Sequence, residues 1–389
     1  MMKKTHYNIL MVNLPFSGHT NPTLGLAQIL VQLGHNVTYI NAPDWQSKIE
    51  RTGAHFVPYD HYPDSLSERQ KKVKSWSAAY QTVLRMGKDY DCLIYEMLFF
   101  PGKALADRLN IPAYRLFSTF SLNEKILTEF GKTGGFYLTS IFRFTFLRHL
   151  LSRKLQRTFQ LAYDDLAKEI SLNTPELNFT YTVREFQIDA DTFDENHYQY
   201  VGPSINRPVE PPFDFTPFKN PIIYISLGTL LNRSVSFFKK CIKAFENEPY
   251  SIIISLGNRI KKEQLGTIPA NVHLYSFVPQ LQILERASLF LTHGGMNSVN
   301  EAIYYGCPML VIPVGNDQPR VAQQVADLHL GKCLKRHNLN PQEIKQAAHT
   351  ILKDSSYKNT ILHFQKIAQT AGGNTLIAQT IIKDLQTKP

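Results

Sequence analysis

Residues 277–318 read FVPQLQILERASLFLTHGGMNSVNEAIYYGCPMLVIPVGNDQ, and the fold follows from how this stretch is parsed. Leu289-Phe290-Leu291-Thr292 is a short apolar run, fit for a buried strand. His293-Gly294-Gly295 then turns the chain. Asn297 and Ser298 carry side chains that cap helices and Gly306 is a helix-ending residue, so a helix is predicted between them, to about Tyr305. Unpaired N–H groups at such a helix start attract an anion, and glycines let a ligand approach the backbone closely. Glu301 stands one turn into the helix, too deep to cap it. A second strand, Met309 to Pro313, leads to a loop carrying Asp317-Gln318. Two adjacent strand ends thus offer a phosphate seat, a carboxylate and an acid–amide pair suited to vicinal hydroxyls. That inventory fits a sugar nucleotide.

Outward from this stretch, strands and helices alternate. On the N-terminal side, strands are predicted at 9–12, 37–40, 55–57, 93–95 and 113–116, with helices at 22–33 and 102–109. Asn21 is placed as N-cap of the first helix and Pro22 at its first position. Pro208, Pro211, Pro212 and Pro217 crowd one short segment, which reads as a stiff extended linker. Alternation then restarts with strands at 222–226, 252–255 and 272–275. It ends in helices at 341–353, 357–370 and 374–385. The fold class is α/β, with parallel sheets covered by helices on both faces. A chain of 389 residues exceeds what one core holds. The predicted division is residues 1–205, a linker over 206–219, and 220–389.

Composition narrows the class. The net charge of +10 and pI near 9.2 allow attraction to anionic membranes, nucleic acid or acidic substrates, or mere solubility. Cys92, Cys241, Cys307 and Cys333 are scattered without a C-x-x-C pair, which predicts a reducing compartment and no disulfide frame or zinc site. The apolar run from Ile9 to Leu14 is too short for a signal core, and no uncharged run approaches the length of a membrane span. A cytoplasmic protein is expected. No nucleic-acid-binding module or dense basic stripe is evident.

The ordered set Pro279-Gln280, His293-Gly294-Gly295, Asn297-Ser298, Glu301, Gly306, Pro308, Pro313 and Asp317-Gln318 resembles the donor-binding signature of the UDP-sugar-dependent glycosyltransferases. A lone HGG would be weak, but the whole set over about forty residues is specific. The resemblance is moderate at Pro15–Gly25 and topological over nearly all the rest. It implies the GT-B fold, two Rossmann-like doubly wound domains facing across a cleft, with the last helix returning to the first domain. It also implies roles. Phe277 and Val278 belong to the uracil side, Phe277 stacking where many relatives carry Trp. Gln280 contacts the uridine. His293, Gly294 and Gly295 meet the diphosphate beside Asn297 and Ser298. Glu301 holds the ribose, and Asp317 and Gln318 hold the sugar. Gly228-Thr229 resembles a second phosphate loop, although a plain strand-to-helix turn explains it equally.

The first strand ends in Pro15-Phe16-Ser17-Gly18-His19-Thr20-Asn21-Pro22. His19 is thereby placed beyond a strand's carboxyl end, where open α/β sheets bind ligands. An imidazole with its ordinary pKa, about 6.5, suits a general base. Residues alone leave a structural loop histidine as the equal alternative; the resemblance implies the catalytic base. The family places an aspartate after the fourth strand to orient that base, and here the residue is Glu96. A His19–Glu96 dyad is expected, and Glu96→Asp is expected to restore the usual pairing. Asp91 competes, but it precedes the strand.

The resemblance implies an inverting, metal-independent O-glycosyltransferase that moves a hexose, leaning to glucose, from a UDP-sugar to a small hydrophobic acceptor such as a macrolide or phenol. The UDP-sugar is then substrate, and no cofactor or metal is expected. Asp189-Ala190-Asp191 could hold a divalent ion but follows a mixed run and reads as a surface loop. The family's acceptor region makes Phe16, Ser17, Phe99, Phe120, Phe136 and Phe142 candidates for acceptor contact. The aromatic segment around Phe136–Arg157 is interleaved with Arg143, Arg148, Arg153, Lys154 and Arg157. It reads as a core-facing helix with a solvated basic face, or as a surface that lies on an anionic membrane. Two other functions remain: a membrane-surface glycolipid synthase, and a sugar-nucleotide-binding protein without catalysis.

Overall fold

The computed structural model describes residues 4–63, 68–133, 145–206, 211–228 and 234–388. Thr229, Phe136, Phe142 and Arg143 lie outside the described residues. The chain divides into two compact units, one of Met1–Asn206 with Ala371–Pro389, the other of Arg207–Thr370.

Among the described residues the first unit holds seven strands: β1 (Asn8–Val12), β2 (Asn36–Asn41), β3 (His55–Pro58), β4 (Cys92–Glu96), β5 (Ala113–Phe117), β6 (Leu177–Thr180) and β7 (Tyr198–Tyr200). They pair in parallel in the order β3-β2-β1-β4-β5-β6-β7. β4 is buried at every residue, as a parallel strand covered on both faces must be. The strand order reverses between β1 and β4, which makes their carboxyl ends the switch point where such sheets bind ligands. The sequence reading misses β6 because Asn178 breaks its apolar pattern. The structure satisfies that buried amide with Arg115 Nε, which donates to Asn178 Oδ1 over 2.9 Å, and with Pro175 O, which accepts from Nδ2 over 2.9 Å.

The second unit holds β8 (Ile222–Ser226), β9 (Ser251–Ser255), β10 (Val272–Tyr275), β11 (Leu289–Thr292), β12 (Met309–Val311) and β13 (Gly331–Cys333). They form a second parallel sheet in the order β10-β9-β8-β11-β12-β13. Ile223, Ile225, Leu289, Leu291 and Leu310 form its apolar centre with helix residues Phe238 and Ile344. Its order reverses between β8 and β11.

The first unit contains helices α1 (Ser17–Gln32) and α4 (Gly373–Thr387), and the second unit contains α2 (Met296–Tyr304) and α3 (Gln318–Asp327). α1 begins five residues before the predicted Pro22. Phe16 is its N-cap, and the Phe16 carbonyl accepts from the N–H groups of His19 and Thr20, both at 2.9 Å. Buried side chains hold this early turn. Asn13 Nδ2 donates to His19 O over 3.1 Å, and the Thr20 hydroxyl donates to Leu14 O over 2.9 Å. The local Asn-Pro signal is overridden by these tertiary bonds, and Pro22 costs the helix one donor near its start. α4 belongs to the first unit, where Tyr114 donates to Asp384 over 2.6 Å and Asn374 Nδ2 to Ser204 Oγ over 2.8 Å.

From residue 211 onward, the segment expected to be a stiff extended linker packs on the second unit. Phe213 stacks on Phe218 at 5.8 Å, Phe218 meets His273 at 4.7 Å, and Phe213 N donates to Gln282 Oε1 over 2.7 Å, so these aromatics pack on the second unit. In the aromatic, basic segment, Phe130 and Phe159 are buried, while Arg148 pairs with Asp165 at 3.2 Å. Among the described residues no helix is long and apolar enough to cross a membrane.

Candidate active site

Two clusters lie at the two switch points. In the first unit, Val12 of β1 pairs with Tyr95 of β4, so the residues following each emerge side by side. Glu96 ends β4 with no exposed surface. Its Oε1 lies 2.8 Å from His19 Nδ1, in the first turn of α1. The Leu98 N–H donates to Oε2 over 2.9 Å, and the Ser118 hydroxyl donates to Oε1 over 2.7 Å. A carboxyl group buried this deeply needs such hydrogen-bond partners, because leaving its oxygens unpaired away from water is costly. Ser118 Oγ is also 2.7 Å from His19 Nδ1. The His19 side chain keeps 22 % of its surface exposed. Asp91 is excluded as the partner, because it takes Lys4 at 2.5 Å and the Asn8 N–H at 2.7 Å at the opposite strand end.

Sequence reading missed Ser118 and Trp76. Ser118 directly follows β5, whose carboxyl end adjoins that of β4, so the strand-end rule applied one strand further would have found it. Trp76 carried no local signal. Its Nε1 donates to Leu98 O over 2.8 Å, and its ring lies 6.3 Å from Phe16, which in turn sits 6.4 Å from the His19 ring. Phe16 and Ser17 are half-buried beside His19. Phe99 and Phe120, expected to contact an acceptor, are both 0 % exposed, and Phe120 stacks on Phe186 at 5.8 Å. Burying an aromatic ring fully is worth about 2–3 kcal/mol, and these two rings serve the core.

In the second unit, Gly228 follows β8, and His293-Gly294-Gly295 follows the adjacent β11. Gly295 is the N-cap of α2, so Asn297 and Ser298 are corrected from caps to first-turn residues. That leaves the helix start without a side-chain cap bond and its N–H groups turned toward the strand ends. His293 fills the space around the glycines. A Cβ on Gly228 would stand 2.7 Å from His293 Cε1, and one on Gly295 would stand 2.6 Å from Nε2. Gly294 takes φ +82 and packs against Val311. Burial pushes His293 down to about 4, so its imidazole is neutral at pH 7. Its Nδ1 is buried with no hydrogen-bond partner among the described residues.

Behind the α2 start lies a polar group built from three elements. Gln280 Nε2 donates to Glu301 Oε2 over 2.5 Å and to Ser298 Oγ over 3.4 Å, while Tyr224 of β8 donates to Gln280 Oε1 over 3.0 Å. Burial raises Glu301 to about 7, the Gln280 bond opposing it. Phe277 is 73 % exposed, the most exposed of the large apolar side chains described. Val278 next to it is buried, so its side chain faces the core. Asp317 is the N-cap of α3 and half-buried. Gln318 is buried, and its Oε1 accepts from the N–H groups of Val314 at 2.9 Å and Gly315 at 3.2 Å. This amide oxygen shapes the loop.

The Asp189-Ala190-Asp191 pair is occupied by cations of the chain itself. Asp189 pairs with Lys125 at 2.9 Å and Asp191 with Arg184 at 2.7 Å.

The family model for UDP-glucoronosyl and UDP-glucosyl transferases matches residues 199–371. The chain is 32 % identical to the NDP-glycosyltransferase YjiC of Bacillus subtilis over 96 % of its own length and 95 % of the relative's. It is 30 % identical to an uncharacterized UDP-glucosyltransferase of that organism, YojK, over 98 % of both chains. Its structure superposes on that of CalG4, the calicheamicin glycosyltransferase, with a TM-score of 0.82 at 26 % identity, covering 99 % of each chain. Paired parallel sheets, clusters at both switch points and this identity along nearly the whole length have one reading: the chain belongs to the UDP-glycosyltransferase family and is a glycosyltransferase with the GT-B fold.

Proposed function

We propose that this enzyme transfers glucose from UDP-glucose to a hydroxyl of a small hydrophobic acceptor, with inversion and without a metal ion. The observation that carries the reading is the 2.8 Å contact between His19 Nδ1 and the buried Glu96 carboxylate. Glu96 accepts the Nδ1 proton, which leaves Nε2, on the other side of the ring, as the nitrogen that takes a proton from the acceptor hydroxyl. As His19 becomes an imidazolium, Glu96 stabilises it. The oxygen attacks the anomeric carbon from the face opposite the leaving UDP, which inverts that carbon.

The donor roles follow the second cluster. Phe277 offers an exposed ring for the uracil, and Gln280 and Glu301 offer acceptors and a donor for the nucleoside. The start of α2 and the backbone at Gly228 meet the diphosphate, and preorganised N–H groups stabilise charge that grows on the leaving group. A neutral His293 contributes a hydrogen bond there rather than a charge. Asp317 and the Gln318 Nε2 take the sugar hydroxyls. The name of the relative YojK supports glucose, and that of CalG4 supports a natural-product acceptor. Phe16, whose ring is 6.4 Å from that of His19, and Trp76 beside Phe16 support an apolar one.

The test is UDP release from UDP-glucose in EDTA, with and without a pooled set of phenols and macrolides. Acceptor-dependent release with a β-linked product is expected. Tight UDP binding without release on any acceptor, dTDP-sugars and lipid acceptors included, would replace this reading with a non-catalytic binding protein.

A further inference from the structure

Three polar atoms meet at the base of the first cluster: His19 Nδ1, Glu96 Oε1 and Ser118 Oγ, separated pairwise by 2.8, 2.7 and 2.7 Å. With Glu96 ionised, this triangle contains the serine proton and, in one of two tautomers, an imidazole proton. If the Ser118 hydroxyl donates to Nδ1, the imidazole carries its proton on Nε2 and has no lone pair for an acceptor. Nδ1 would then also point a lone pair at the Glu96 carboxylate. If the hydroxyl donates to Glu96, its own lone pair faces Nδ1, and only an Nδ1–H satisfies both oxygens. The buried carboxylate is the stronger acceptor, so the second arrangement prevails.

We infer that Ser118 is a positioning residue whose hydroxyl, by donating to Glu96, fixes His19 in the Nδ1–H tautomer and keeps Nε2 available as the base. The inference rests on His19 being the base. It also accounts for how both oxygens of the glutamate are fixed. Oε2 is held by the Leu98 N–H and Oε1 by Ser118, so neither carboxylate oxygen can swing away from the ring. Other titratable groups that sense Glu96 are the buried phenols of Tyr39 and Tyr181, both raised by burial and neutral, so neither competes for the tautomer. Ser118 is itself 3 % exposed, which makes its hydroxyl a fixture of the site rather than an acceptor contact.

The experiment uses the full chain labelled with 15N-histidine, assigned with His19→Ala, alongside steady-state kinetics. In the wild type, His19 Nδ1 should show the shift of a protonated ring nitrogen and Nε2 that of an unprotonated one. Ser118→Ala should mix the tautomers, lower kcat about ten-fold and leave the donor KM within two-fold. Ser118→Thr, which keeps the hydroxyl, should recover most of kcat and the single tautomer. An unmixed tautomer in Ser118→Ala, or equal loss in the Ala and Thr variants, would overturn the role. Full activity of His19→Ala would overturn the base assignment instead, so the two failures are separable. Should Ser118→Ala fold poorly, the wild-type spectrum still decides, because an Nε2–H tautomer there contradicts the inference.

Discussion

A Cβ on Gly228 would stand 2.7 Å from Cε1 of His293, so the loop after β8 and the loop after β11 are fitted to each other through one imidazole. The glycine serves the histidine before it serves any ligand. Gly228 also takes φ +68, a left-handed conformation that strains any other residue. Gly228→Ala should therefore cost about 1–3 kcal/mol of stability and displace His293. Gly266, at φ +83 with nothing within 4 Å of a Cβ, is the control. Both alanine variants should melt lower, but only Gly228→Ala should lose UDP affinity in titration calorimetry. Equal UDP binding by the two would detach His293 from the diphosphate.

His19→Ala should reduce transfer by about a hundred- to ten-thousand-fold, the usual worth of a positioned base, with UDP affinity unchanged. Single-turnover product formation and UDP titration check the two halves.

Glu96→Asp, expected from sequence to restore the family's pairing, should instead impair the enzyme. The glutamate backbone is already set so that Oε1 reaches His19 at 2.8 Å and Oε2 reaches the Leu98 N–H at 2.9 Å. Removing one carbon retracts the carboxylate by roughly 1.5 Å, about one C–C bond. A ten-fold or larger fall in kcat is expected, and equal or higher activity would show that the backbone readjusts.

Glu301, raised to about 7 by burial, gives a pH signature of known sign. Its folded form holds a proton that the unfolded chain releases near pH 4.5. Stability from this group is thus present below pH 4.5 and is lost as pH rises toward 7, by about 1–3 kcal/mol. Glu301→Gln should flatten the urea midpoint between pH 5 and 7.5. Uridine, which does not ionise in this range, should bind the wild type more tightly at pH 8 than at pH 6, because the ionised carboxylate is the better acceptor for ribose hydroxyls. The variant should lack that dependence.

Phe277, 73 % exposed, should contribute little to the fold and much to the donor. Phe277→Ala should keep its melting temperature within a degree or so while weakening UDP by about 1–3 kcal/mol, the range measured for base–aromatic stacking. A matching loss of stability would make the ring a structural one.

Sequence alone determined the α/β class, the restart of alternation after the proline-rich segment, and the ordered signature from Phe277 to Gln318 that carries the family resemblance. These are local signals: apolar runs of strand length, glycines at turns, polar side chains at fixed offsets. His19 and Glu96 were paired through the family resemblance, and the structure brings them together because the carboxyl ends of β1 and β4 lie side by side. Tertiary structure decided what local pattern cannot hold. It moved the start of α1 back to Ser17, because buried Asn13 and Thr20 grip the first turn more strongly than the Asn-Pro signal marks a boundary. It buried Phe99 and Phe120 in the core, since an aromatic residue's chemistry does not say which face it meets. It turned the Gln318 oxygen onto its own loop and brought Ser118 within 2.7 Å of both His19 and Glu96. A contact across 99 residues leaves no trace in spacing, because it depends on where three strands end in space.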